Sequence, residues 1–192
     1  MCAAATCLPY ALPAAVDGAL QPEVEYRLSR WPLAGVSPDF SLVDFDGRPR
    51  TLNDYRGRVV VIFFGYARCP DVCPAELVKL ALAMKKLGPA SRHVQVLFVT
   101  LDPQRDTALI LKQYVTAFDA RFIGLTGTAA QIDRAAASFF IQYAKVPLGD
   151  DYAVSHTARL LVLDSAGHLR LVGAPQTSAL DLAHDLAKLA ME

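Results

Sequence analysis

Val59-Val60-Val61-Ile62-Phe63-Phe64, followed by Gly65-Tyr66-Ala67-Arg68 and then Cys69-Pro70-Asp71-Val72-Cys73-Pro74, is the stretch that decides the fold. Six apolar residues in a row, most of them β-branched or aromatic, predict a strand covered on both faces. The two cysteines leave the end of that strand where a helix is about to begin. Proline suits a first helical turn, whose N–H groups have no intrahelical partner, so the pattern predicts Cys73 at the N-cap and Cys69 just outside. Unpaired N–H groups at a helix start favour a thiolate, so the expectation is a lowered thiol pKa. The spacing is C-x3-C. One residue more than the C-x2-C of thioredoxin-type oxidoreductases opens the pair, so that two sulfurs can converge on an ion as well as on each other.

Working outward, the elements alternate. Asp39 to Phe45 alternates polar and apolar residues and runs into Asp46-Gly47, a strand and tight turn that predict an N-terminal hairpin. After the cysteines, Ala75 to Leu87 carries a helical stripe stopped by Gly88-Pro89. A buried strand over Val94–Thr100, a helix over Thr107–Phe118, a short strand over Phe122–Leu125 and a helix capped by Thr128 follow. Phe139–Lys145 and Tyr152–Val154 predict a hairpin turning at Pro147-Leu148-Gly149-Asp150, and Arg159–Leu163 with His168–Val172 another. Ser178 opens a closing amphipathic helix through Leu189. This order predicts an α/β fold with a central mixed sheet flanked by helices: the thioredoxin-like architecture with an added N-terminal β-hairpin.

Composition sets the outer limits. A chain of 192 residues that is 53% hydrophobic and 20% charged can build one sizeable core. Its 19 basic and 19 acidic residues cancel, and no basic block is interleaved with aromatics, which argues against nucleic acid as a partner. No run approaches the ~20 apolar residues of a membrane-crossing helix. Residues 1–21 stand apart as a leader, either flexible or the remnant of a signal or anchor, and residues 22–192 as the domain. Cys2 and Cys7 fall in that leader, and Pro22 to Pro38 predicts an extended approach with Trp31 at the surface.

Two thiolates need further ligands to enclose an ion, so each histidine is a candidate. His93, His168 and His184 lie beside charged neighbours or in a turn and are expected to be solvated. His156 directly precedes a predicted strand whose entrance, in this architecture, faces the start of the cysteine helix. On position alone the reading as a hydrogen-bonded loop residue still outweighs that of a ligand. Asp71 and Asp102 leave the same choice between local caps and ligands, and Arg105 and Asp106 are expected to begin the next helix.

Phe64 to Pro74 closely resembles the signature of the SCO/SenC family, copper carriers used in building cytochrome c oxidase. Leu101-Asp102-Pro103-Gln104-Arg105-Asp106-Thr107 is similar to the family's second block, and Asp151-Tyr152-Ala153-Val154-Ser155-His156-Thr157 to its third. The resemblance covers about residues 39–190, leaving only the leader outside. The resemblance implies one copper, Cu(I) or Cu(II), held by Cys69, Cys73 and His156, with Cys69 and Cys73 forming a disulfide when oxidised. It implies as partners the copper-bearing subunit of cytochrome c oxidase and other copper carriers. It also implies a location in or facing the periplasm, with any membrane tether supplied by an N-terminal anchor. The family usually has Asp before the histidine, where this chain has Ser155. Soft thiolates select monovalent copper and imidazole also accepts the divalent ion, which suits that donor set. The same dithiol suits a thiol–disulfide oxidoreductase, the alternative function. A peroxidase of the same superfamily shares the Pro38-Asp39-Phe40 opening, but two thiols this close argue against it.

Overall fold

The computed structural model describes residues 25–33 and 35–192; the leader over 1–21, with Cys2 and Cys7, lies outside the described residues. Ten strands and four α-helices follow in chain order: β1 (Ser29–Arg30), β2 (Ser41–Asp44), β3 (Pro49–Thr51), β4 (Val59–Gly65), α1 (Val72–Leu87), β5 (Val94–Thr100), α2 (Ala108–Thr116), β6 (Ile123–Thr126), α3 (Ala129–Ser138), β7 (Tyr143–Leu148), β8 (Asp151–His156), β9 (Leu160–Leu163), β10 (Leu169–Gly173) and α4 (Ala179–Leu189).

Eight strands make one mixed sheet in the order β1-β10-β9-β4-β5-β6-β2-β3. The run that opened the sequence lies at its centre. β4 pairs in parallel with β5 and antiparallel with β9, and every residue of β4 and β5 is buried. The unbroken apolar run of Val59–Phe64 in β4 and of Val96–Val99 in β5 follows from that double coverage. α1 packs against α4, α2 against β6 and α3 against β2, so the sheet is flanked by helices as the element order predicts.

The N-terminal hairpin is β2–β3, and it extends the sheet beyond β6. Gly47 takes the left-handed conformation (φ +79°) that its turn demands. The Asp44 carboxylate accepts the N–H groups of Asp46 and Arg48 at 2.9 and 3.0 Å and the Arg50 Nε at 2.9 Å. At the other margin Asp185, fully buried on α4, accepts the N–H groups of Arg27 and Leu28 at 2.8 and 2.7 Å and so aims the chain into β1.

Within the approach segment Ser29–Arg30 is extended and pairs with β10. Two local expectations need correction. Trp31 is half-buried, its ring 5.1 Å from that of Phe140. The second hairpin begins at Tyr143 rather than Phe139: Phe139 is fully buried at the end of α3, and Phe140 has φ +59°. The aromatic run there is therefore helix end and turn, and a strand cannot start through a left-handed residue. β7–β8 forms a two-stranded sheet of its own, separate from the central one.

Candidate metal centre

The site grows from the end of β4. Gly65 closes the strand, its carbonyl accepting the Leu101 N–H at 2.7 Å. A β-carbon at this position would stand 2.8 Å from Cys73 Sγ and 3.0 Å from Phe98 Cε2. Only glycine leaves room for the thiol to lie over the strand. The chain then turns through Tyr66 to Cys69, whose N–H donates to the Tyr66 carbonyl at 3.2 Å.

The helix begins earlier than the proline suggests. Asp71 is at the N-cap, Val72 is the first helical residue, Cys73 the second and Pro74 the third. Pro74 is still tolerated, since no N–H in the first turn has an intrahelical acceptor. Asp71 makes no side-chain cap; instead the Cys73 N–H points to Cys69 Sγ at 3.4 Å. The free donor of the helix start is thus given to sulfur.

The two thiols differ. Cys69 is half-buried and Cys73 fully buried. Burial pushes the Cys73 thiol far up, and its neighbour Cys69 adds to this, against the opposing effect of a Tyr66 backbone hydrogen bond. The expectation of a lowered pKa fails for Cys73 because loss of solvent outweighs the helix terminus.

β8 ends on His156, whose Nε2 stands 3.6 Å from Cys73 Sγ although 83 residues separate the two. The imidazole makes T-shaped contacts with Phe63 and Tyr66, with ring centroids 6.1 and 6.3 Å away. Nδ1 lies 3.3 Å from the Thr157 carbonyl, which can only accept. That contact fixes the ring proton on Nδ1 and leaves the Nε2 lone pair facing sulfur. Burial lowers the His156 pKa, partly offset by the Thr157 carbonyl, which favours the neutral ring a metal requires. A backbone carbonyl therefore orients the imidazole. Ser155 is exposed, on the rim of an open depression that His156 also lines.

Cys69, Cys73 and His156 thus come together at the C-terminal end of β4. Among the described residues, however, no three His, Cys, Asp or Glu side chains already stand in a closed ligating arrangement. The donor types, two thiols and an imidazole, fit a soft ion. The other histidines are elsewhere: His93 accepts from Arg92 Nε at 2.9 Å, His168 stands 3.5 Å from Asp164, and His184 is not simply solvated but lies 2.8 Å from Asp185.

Sequence reasoning missed the supporting shell. Arg105 and Asp106 do not begin a helix; both belong to the β5–α2 loop, and α2 starts at Ala108. Asp106 Oδ2 accepts from Thr100 Oγ1 at 2.6 Å and from the Ala67 N–H at 2.9 Å, pinning the cysteine loop. Burial raises its pKa against those two bonds. Asp102 does hold its own turn, its carbonyl accepting the N–H groups of Arg105 and Asp106, but its buried carboxylate also accepts the Tyr152 hydroxyl at 2.7 Å. The similarity of 101–107 to a family block marked this loop without revealing what each residue holds.

Residues 32–191 match the family model SCO1/SenC. The chain belongs to that family. Within the family it is 41% identical over 133 residues to the Bos taurus mitochondrial SCO2 homolog, covering 67% of this chain and 50% of that protein. The chain spans about half the length of the first curated relatives it matches. Apo Sco1 from Thermus thermophilus superposes with a TM-score of 0.78 at 36% identity, covering 90% of this chain and 99% of that one. Bradyrhizobium japonicum ScoI, whose structure holds copper, superposes with a TM-score of 0.75 at 32% identity over 80% and 98% of the two chains. These solved family members share the fold described above.

Proposed function

We propose that this chain is a copper-binding chaperone that delivers copper to, or prepares the thiols of, the dinuclear copper centre of a respiratory cytochrome c oxidase. The observation that carries the reading is the approach of His156 Nε2 to 3.6 Å from Cys73 Sγ, with Cys69 Sγ at the same helix start. The copper in the Bradyrhizobium relative supports it, as does the character of the Sco family as cytochrome c oxidase assembly proteins. Cys69, Cys73 and His156 are the ligands. Two soft sulfurs suit Cu(I), and the nitrogen extends the site to Cu(II). Three protein ligands leave one side open, so the cargo can pass to incoming ligands of the oxidase subunit or of another copper carrier. The domain over 22–192 carries this chemistry and works in or facing the periplasm. Among the described residues no helix is long and apolar enough to cross a membrane.

Loading the reduced protein with Cu(I) against a chromophoric competitor tests the assignment. A single ion per chain is expected, and His156→Ala should weaken retention by at least the ~10–100-fold typical of losing a ligand's outer partner. Unchanged loading and affinity would remove His156 from the ligand set.

A second reading, a thiol–disulfide oxidoreductase, draws on the half-exposed Cys69 sulfur and the N–H it accepts from Cys73. It requires the reduced pair to attack a protein disulfide, one thiolate forming a mixed disulfide and the other releasing the two substrate thiols as Cys69–Cys73 closes. A Cys69–Cys73 potential too oxidising to reduce any protein disulfide, with no turnover, would exclude it.

A further inference from the structure

His156 is carried by an element with little core of its own. In β7 only Tyr143 is even partly buried, and in β8 Val154 alone is fully buried. Alternation along β8 puts Tyr152, Val154 and His156 on one face and Ala153 and Ser155 on the other. A quarter-turn roll of the strand would carry His156 away from the thiols together with Tyr152. Whatever holds Tyr152 therefore holds the imidazole.

Tyr152 is held from the β5–α2 loop. The Arg105 guanidinium carbon lies 3.6 Å over the centroid of its ring, and Arg105 Nη1 donates to the Tyr152 carbonyl at 2.9 Å and to Asp151 Oδ1 at 2.7 Å. The Tyr152 hydroxyl donates to Asp102 Oδ1 at 2.7 Å, while Arg105 Nε donates to Asp102 Oδ2. Asp102 is fully buried, and its N–H donates to Thr100 Oγ1 at 2.9 Å. Lys145 of β7, whose Nζ is 4.4 Å from the Tyr152 centroid, reaches back to Gln104 at 2.7 Å. The base of the hairpin has separate ties, Tyr143 to Asp133 and the Thr157 N–H to the Gln142 carbonyl. Those ties fix where the hairpin is rooted, not the face it turns to the thiols.

We propose that Asp102, Arg105 and Tyr152 form a positioning clamp that sets the roll of β8 and thereby places the His156 imidazole on the thiols. Its purpose rests on the copper reading given above; its existence does not. Through Asp106 the same loop grips the Ala67 N–H ahead of Cys69. One short segment, Thr100 to Asp106, thus brackets both halves of the site and fixes the gap between sulfur and nitrogen. Arginine suits the task, because a planar fork can stack and donate at once where an ammonium cannot.

The test compares the full reduced chain with Arg105→Gln, Arg105→Lys, Tyr152→Phe and His156→Ala. In metal-free protein, amide exchange of residues 152–156 should speed up about tenfold in Arg105→Gln, while amides of β4 and β5 stay unchanged. With cupric sulfate as the probe, Arg105→Gln should lose nitrogen hyperfine structure from the Cu(II) spectrum as His156→Ala does. Cu(I) retention should fall about tenfold or more, the range for residues that orient a ligand. Tyr152→Phe, which keeps the ring, should fall between, and Arg105→Lys should not rescue. Wild-type exchange and a wild-type spectrum in Arg105→Gln overturn the clamp, as does exchange that quickens equally throughout the sheet. A His156→Ala spectrum identical to wild type overturns the ligand assignment instead, while the metal-free exchange still decides whether the clamp exists. Should Arg105→Gln fail to fold, Tyr152→Phe and Arg105→Lys carry the same comparison.

Discussion

Gly65 and the thiol lying over it show how one missing side chain makes room for chemistry. Gly65→Ala would force its new carbon against Cys73 Sγ and Phe98. Overpacking of this kind costs ~1–3 kcal/mol, and chemical denaturation of the metal-free protein should record that loss together with weaker copper retention. Proton linkage at the neighbouring side chains has a definite sign. Burial holds the His156 pKa down, so below about 6.5 the unfolded chain takes up a proton that the folded ring refuses, and stability should fall as pH drops. Burial holds the Cys73 thiol up, so above its ordinary value, about 8.5, the unfolded thiol loses a proton that the folded one keeps. Stability should fall there too as pH rises. Reduced, metal-free protein is therefore expected to be most stable between these limits, and His156→Gln should flatten the acid limb of the profile. Neither sign was legible in the sequence. A helix start near a cysteine argues for acidity in general, but burial is a property of the whole packing and here it wins.

Elements were legible where one local cause was sufficient. The apolar runs Val59–Phe64 of β4 and Val96–Val99 of β5 mark covered strands, and Thr107, Thr128 and Ser178 cap α2, α3 and α4 through their hydroxyls. Boundaries failed where tertiary contacts decide. Phe139 looks like the start of a strand, yet its burial among Phe40 and Phe64 keeps it at the end of α3. Nothing in the local sequence of Arg105 or Tyr152 announces that they meet, since the contact depends on how a separate hairpin docks. β1 offers a similar case, being only two residues long and dependent on a distant helix. Asp185→Ala would leave the buried Leu28 N–H, and the Arg27 N–H beside it, without an acceptor, at ~1–3 kcal/mol for an unmet buried group. Hydrogen exchange should then rise at Ser29, Arg30 and their partners Leu171 and Val172, while the centre of the sheet stays protected.

For the molecule as a whole, cargo and folding are linked. An ion that binds only the folded, reduced chain stabilises it by ~4 kcal/mol when present at a thousand times its dissociation constant. At ~2–4 °C per kcal/mol for a domain of this size, Cu(I) should raise the melting temperature by roughly 10 °C. The oxidised protein, its sulfurs occupied by each other, should show no such rise, and equal shifts in both forms would place copper elsewhere. The sheet's own margins carry one more consequence. Among the described residues it ends on one side in the two residues of β1, Ser29 and Arg30, and on the other in the three of β3, Pro49, Arg50 and Thr51. Brief borders that carry cations and a proline make poor templates for the backbone of another copy. Crowded solutions of this protein should thus resist fibre growth.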